Sequence, residues 1–224
     1  MIDWSPLLIS MKTATLSIFI TFFIGLIVAW IIVKMKNDSV KIVLDGIFTL
    51  PLVLPPTVIG FFLLYIFGIR GPIGRFFIDF FAFKIVFSWE ATVIAAVVMS
   101  FPLMYRSARG AFEQVDSNLI DAAKTLGMSE WQIFWKILFA NALPGIISGG
   151  ILSYARGLGE FGATAMVAGN IAGQTRTLPI AVYSEVAAGN MSSAFDYVVV
   201  IVFIAFIAIF ILNFVTIRQE KKWK

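Results

Sequence analysis

Few residues in this chain have types and spacings suited to chemistry. Arg156 and Glu160 stand four apart within a long apolar stretch. That spacing puts a guanidinium and a carboxylate on one helix face, where they can pair. Charges inside lipid are costly and face protein or a water-filled cavity. Three readings follow: an ion pair that fixes the helix's orientation, which is favoured; an anion path with Arg156 attracting and Glu160 tuning; or a span that ends early and leaves both near the outer surface. The chain has no histidine and no cysteine. This removes the commonest general base, thiol chemistry, disulfides and most zinc or haem sites. There is no nucleophile motif and no pair of intramembrane carboxylates, so an enzyme is not expected. The glycine-rich stretch Gly169–Gly173 lacks the lysine of a GxxxxGK[ST] phosphate loop. ATP and Mg must therefore belong to another subunit if this chain is ATP-driven, and no cofactor or metal is expected in the chain itself.

The other distinctive residues lie in a polar block, about 108–136. Asp121-Ala122-Ala123 is followed by three residues and then Gly127. Ser117 to Leu126 reads as a short helix stopped by Gly127. Ser129-Glu130-Trp131-Gln132 is a capping box that opens a second helix. Trp131, Phe134, Trp135 and Leu138 give that helix an apolar face. A helix lying on the membrane surface would share this amphipathicity. The small side chains of Ala122 and Ala123 would let the first helix lie flush in a partner's groove, with Gly127 permitting a sharp reversal.

The elements that position these residues are set by composition. The chain has 224 residues, 60% hydrophobic and 13% charged, against about a quarter charged in an ordinary soluble domain. The excess lies in long uncharged runs. The reading is all-α and polytopic, one transmembrane domain over 1–224 with a core of about 10–217. Five spans fit, about 10–33, 46–68, 89–107, 137–166 and 197–217, each near the ~20 residues needed to cross lipid. The first run is longer than the apolar core of a signal peptide and reads as a permanent anchor. With the N-terminus outside, the inside segments are 34–45, 106–136 and 218–224, and they hold most of the lysines and arginines. The positive-inside rule favours that orientation and a cytoplasmic C-terminus. Net charge of +4 is thus a membrane feature, with no nucleic-acid partner implied.

The second span contains Pro51, Pro55 and Pro56, which predict a kinked helix. Pro55 and Pro56 could line a pathway or serve packing alone. Residues 69–88 read as an outer loop with an interfacial apolar stretch. The fourth span is rich in glycine, and Gly145/Gly149 and Gly159/Ala163 form small-xxx-small pairs suited to close helix packing. Residues 167–196 form a further outer segment.

These motifs together resemble a known family. Asp121-Ala122-Ala123…Gly127 in an inside loop between spans three and four is similar to the E-A-A-x-x-x-G signature of ABC importer permeases. LPLVLPPTVIG (50–60), SFPLMYRSARG (100–110), ARGLGEFGAT (155–164) and AGNIAGQTRTLPIAVY (168–183) resemble the molybdate permeases of that class. The resemblance implies a type I ABC importer permease fold in the cell membrane. It implies a homodimer, two ATPase subunits and an external oxyanion-binding protein, with the coupling made through Asp121, Ala122, Ala123, Gly127, Ser129 and Trp131. Two departures stand out. Asp121 replaces the usual glutamate, and after Ile137 the expected leucine and proline are replaced by Phe139-Ala140. Pro144 is the candidate hinge in their place. The transported anion would be molybdate, with tungstate or sulfate as alternatives. An autonomous channel or secondary carrier would use similar spans but would not need this loop.

Overall fold

The computed structural model describes residues 3–220, with side chains described through Phe214. The basic side chains of the C-terminal tail and the side chains of residues 215–217, the end of the fifth expected span, lie outside the described side chains. Every described element is helical.

Helix α1, Ser5–Lys34, is the first span and begins earlier than expected, with Pro6 in its first turn. Proline is tolerated there because the first-turn amides have no intrahelical partner. Asn37 caps α2, Asp38–Val53, by accepting from the Val40 amide. The expected single kinked span 46–68 is two helices, α2 and α3 (Pro56–Phe67), bent by 112°. Leu54 and Pro55 each precede a proline, and both are extended, with ψ of 143° and 137°. A residue before proline is driven out of the helical region by the pyrrolidine ring. Two such residues in succession break the helix rather than kink it. Pro56 then starts α3, at a position that needs no amide.

Helix α4, Pro72–Phe81, lies in the expected outer loop and exposes Phe76, Phe80 and Phe81. Helix α5, Trp89–Glu113, extends the third span by a turn and a half beyond its expected end at 107. The polar block therefore starts at Gln114. It contains α6, Ser117–Thr125, and α7, Glu130–Ile133. The helix continues through a π-helical stretch, Phe134–Phe139, into α8, Ala140–Leu158. This makes one continuous helix of 29 residues. The fourth span was expected to reach residue 166. It ends at Leu158, and Gly162–Val167 is a separate short helix, α9. Helix α10, Leu178–Ala187, precedes α11, Met191–Glu220, which starts six residues before the expected fifth span. Four described helices are long and apolar enough to cross a membrane, or five if α2 and α3 count as one broken span.

Helix α5 is the centre of the packing, against both α1 and α8, which also touch each other. One apolar cluster joins Leu26, Ile32, Met104, Tyr105, Phe112, Phe134 and Ile146 at the end nearest the polar block. A second joins α3, α5 and α9 through Ile59, Leu63, Met99 and Val167. Between α1 and α5 runs a buried polar seam. Thr13 and Thr92 share a 2.9 Å hydrogen bond, Thr21 and Ser100 a 3.2 Å one, and Trp89 Nε1 donates to Thr13 Oγ1 at 3.0 Å. Lipid supplies no hydrophobic drive between helices, so such bonds, about 0.6 kcal/mol each, and close packing must hold them. Gly145 and Gly149 serve this end, letting α8 approach Ala111 and Ser107 of α5.

Candidate functional site

Two junctions gather the residues singled out in the sequence. The first is the reversal between α6 and α7. Asp116 opens α6 by accepting from the Asn118 amide at 2.9 Å. Gly127 closes it with φ +73°. The Gly127 amide donates to Lys124 O at 2.9 Å and the Met128 amide to Ala123 O at 3.1 Å. This pair of bonds is a Schellman closure, and it requires a left-handed residue where Gly127 stands. A Cβ on Gly127 would meet open space. The glycine is therefore needed for its backbone angle and not for clearance. Two residues on, both halves of the capping box are formed: the Gln132 amide donates to Ser129 Oγ at 3.3 Å, and the Ser129 amide donates to Gln132 Oε1 at 3.0 Å. Hydrogen bonds satisfied on both sides of the turn set the angle between α6 and α7.

The structure separates the two alanines. Ala123 is buried within this chain, whereas Ala122 is exposed. Only Ala122 of the pair is left free to meet a partner; Ala123 holds α6 to its own body. Asp121 is exposed and lies 3.4 Å from Lys124 Nζ. Trp131 is exposed, stacks on Phe134 and meets Trp135 edge-on. Pro144 sits inside α8 without a helix break, and the local irregularity is instead the π-helical stretch one turn earlier.

Two ion-pair groups here were not anticipated. Lys34, at the end of α1, pairs with Glu130, the first residue of α7, and also stands over the Trp30 ring. Trp30 in turn packs on Phe134. The end of α1 is thus fastened to the second arm of the reversal. On α5, Arg109 pairs with Asp45 of α2 and with Glu113, while Lys41 of α2 reaches Glu113 at 3.4 Å. Tyr105 donates to Asp45 at 2.9 Å. The i, i+4 spacing of Arg109 and Glu113 was legible in the sequence; the cross-helix partners were not.

The second junction joins the two broken helices. Arg156 Nη1 donates to Glu160 Oε2 at 2.6 Å, and the Ala163 amide donates to Glu160 Oε1 at 2.8 Å. The Glu160 side chain is 1% exposed and that of Arg156 is 28% exposed. One carboxylate therefore ties the last turn of α8 to the first turn of α9 across the break. Gly159, read as half of a packing pair with Ala163, is instead the exposed terminator of α8. Helix α3 packs on α9 at backbone distance. A Cβ on Gly162 would lie 2.8 Å from Pro56 Cβ, and one on Gly60 would lie 2.9 Å from Ala163 Cα. Pro56 thus packs against the start of α9, and Pro55, exposed, marks the turn before α3. Among the described residues no group of histidine, cysteine or carboxylate side chains could hold a metal.

This arrangement has recognisable relatives. A family model described as "Binding-protein-dependent transport system inner membrane component" matches residues 21–221. The molybdenum transport system permease protein ModB of Escherichia coli (strain K12) is 42% identical over 210 residues, covering 93% of this chain and 91% of its own length. ModB of Haemophilus influenzae is 41% identical over 180 residues, covering 80% and 78%. An inward-facing structure of the MetNI methionine ABC transporter superposes with a TM-score of 0.74 at 18% identity, covering 94% of this chain and 93% of that one. At that identity the likeness is one of fold, that of the type I ABC importer permeases. The chain therefore belongs to the binding-protein-dependent transport system inner membrane components, as a multi-pass transport subunit and not an enzyme.

Proposed function

We propose that this chain is the membrane subunit of an ATP-driven molybdate importer. Two copies form the pathway, two separate ATPase subunits hold ATP and Mg, and an external binding protein delivers the oxyanion. The N-terminus lies outside and the α6–α7 reversal faces the cytoplasm, in keeping with the concentration of lysine and arginine in the inside segments. The observation that carries the ATP-coupled reading is the locked α6–α7 reversal. A Schellman closure and a complete capping box fix its shape, and Lys34–Glu130 ties it to α1. A surface so braced transmits a push as a rigid body. Asp121, Ala122 and Trp131 are its exposed contacts, while Gly127, Ser129 and Ala123 hold their geometry. The anion is inferred from the named activity of the ModB relatives. Access alternates between the two sides as the ATPases close and open.

The test is uptake in vesicles containing the permease, its ATPase and the binding protein. Molybdate uptake should require ATP and the ATPase together. Uptake that ignores the ATPase would leave a channel or secondary carrier. ATP-dependent uptake of sulfate in preference to molybdate would overturn the anion and keep the class.

A further inference from the structure

A cavity of about 720 Å³ opens between α5 and α8 at the end nearest the α6–α7 reversal. Its lining includes Arg106, Ser107, Gly110 and Gln114 from the α5 side and Asn141 and Ser148 from α8. Among the described residues, no hydrogen bond or ion pair occupies the side chains of Arg106, Ser107, Gln114 or Ser148. Arg106 differs in this from its neighbour Arg109, which is doubly paired. Asn141 uses Nδ2 to bond Ile137 O at 2.7 Å. Gly110 faces open space, so the groove is not closed by its own backbone.

We propose that this groove is a low-affinity release site for a tetrahedral oxyanion, with Arg106 as its cation. The proposal rests on the importer reading and adds a place where the anion pauses on the inner side. A planar guanidinium binds tetrahedral oxyanions through two parallel N–H bonds. Ser107 and Ser148 can donate from the two walls, and Gln114 can donate through its amide. One further charged side chain lines the groove. Asp116 sits at its α6 lip, with its carboxylate already accepting from the Asn118 amide. A like charge at the exit opposes tight retention, as a release site needs. Asp116 also begins the helix that we propose meets the ATPase, so movement of α6 changes the distance between the lip and Arg106. A phospholipid headgroup offers the same tetrahedral oxyanion chemistry; polar side chains stand on both walls beside Ala111, Val115, Leu119 and Ala142, and the occupant proposed is the free anion.

The absence of native cysteine makes the test direct. Gly110→Cys is made in the full complex, placed in vesicles of zwitterionic lipid, and labelled from the α6–α7 side with a charged thiol reagent. The band of this chain is resolved from the other subunits. Millimolar molybdate or sulfate should slow labelling severalfold, and chloride should not. Adding Arg106→Gln should abolish the protection, and Arg106→Lys should keep part of it. The molybdate concentration that gives half-protection should rise at least about tenfold in Arg106→Gln, the loss of about 1.4 kcal/mol of anion binding. Labelling indifferent to both oxyanions would overturn the site. So would protection by anionic phospholipid alone, which would make the groove a headgroup site, or loss of the ATPase from Arg106→Gln, which would make Arg106 a docking residue. Wild-type vesicles that take up no molybdate fail the function reading instead. Protection by sulfate in those vesicles would still support the anion site.

Discussion

Glu160 joins two helices through one carboxylate. Its carboxylate is almost fully buried and serves both Arg156 and the Ala163 amide. Removing one partner of a buried pair costs about 3–5 kcal/mol, because the other charge is left without compensation. Arg156 is partly exposed, which places Arg156→Ala near the low end, about 3 kcal/mol. Arg176 offers a contrast. It donates one bond to Asn170 at 2.8 Å and is in none of the ion pairs among the described residues. Arg176→Ala should cost about 1 kcal/mol, the value of one ordinary hydrogen bond. Thermal unfolding of the detergent-solubilised complex compares the two. Equal, mild losses would show that the pair does not hold the α8–α9 junction. Glu160→Gln keeps an acceptor for the Ala163 amide and should fall between them.

At the scale of elements, the α6–α7 reversal makes separate demands on neighbouring residues. Gly127→Ala places a side chain in a left-handed conformation at about 1–2 kcal/mol, with no steric clash. Transport should weaken without loss of assembly. Gly127→Pro also removes the amide that bonds Lys124 O. That variant should lose ATPase co-purification while the chain still inserts. Normal co-purification would count against α6 as the docking element. Ala123→Leu now has a different meaning from the one its sequence suggested. Ala123 is buried in this chain, so a larger residue forces α6 off its own body, at about 1–3 kcal/mol of overpacking. Ala122→Leu, by contrast, should leave the unfolding temperature unchanged and reduce ATPase binding. The α3–α9 contact gives a third case. Gly60→Leu drives a side chain into Ala163 and Met166, and should destabilise the complex although it lies far from the reversal. A Tm equal to wild type would mean that α3 and α9 separate freely.

For the whole molecule, the orientation can be read by labelling. Leu126 is 80% exposed at the reversal, and Gly173 is exposed in the segment between α9 and α10. Single cysteines at these positions should react with an impermeant thiol reagent from opposite sides of the membrane. Leu126→Cys should react only from the cytoplasmic side, and Gly173→Cys only from outside. Reaction of both from one side would remove the topology on which the importer reading depends.

The sequence by itself determined whatever depends on neighbours along the chain. The apolar runs of α1, α5 and α11, the stop at Gly127 and the Ser129–Gln132 capping box were legible because composition and local hydrogen bonding settle them. The Arg156–Glu160 spacing was legible for the same reason, one helical turn apart. What only the tertiary structure decided was where helices break and which face meets which. Two prolines following Leu54 could kink or sever a helix; α9, packed at backbone distance against Pro56 and Gly60, accompanies the severed form. Gly159 could have packed a span or ended one, and the buried Glu160 carboxylate, shared between two helices, holds the ended form. Ala122 and Ala123 are alike in sequence and opposite in burial, because sides of a short helix are assigned by what it rests on. The cross-helix pairs Lys34–Glu130 and Asp45–Arg109 join residues far apart in the chain, and no periodicity encodes such meetings.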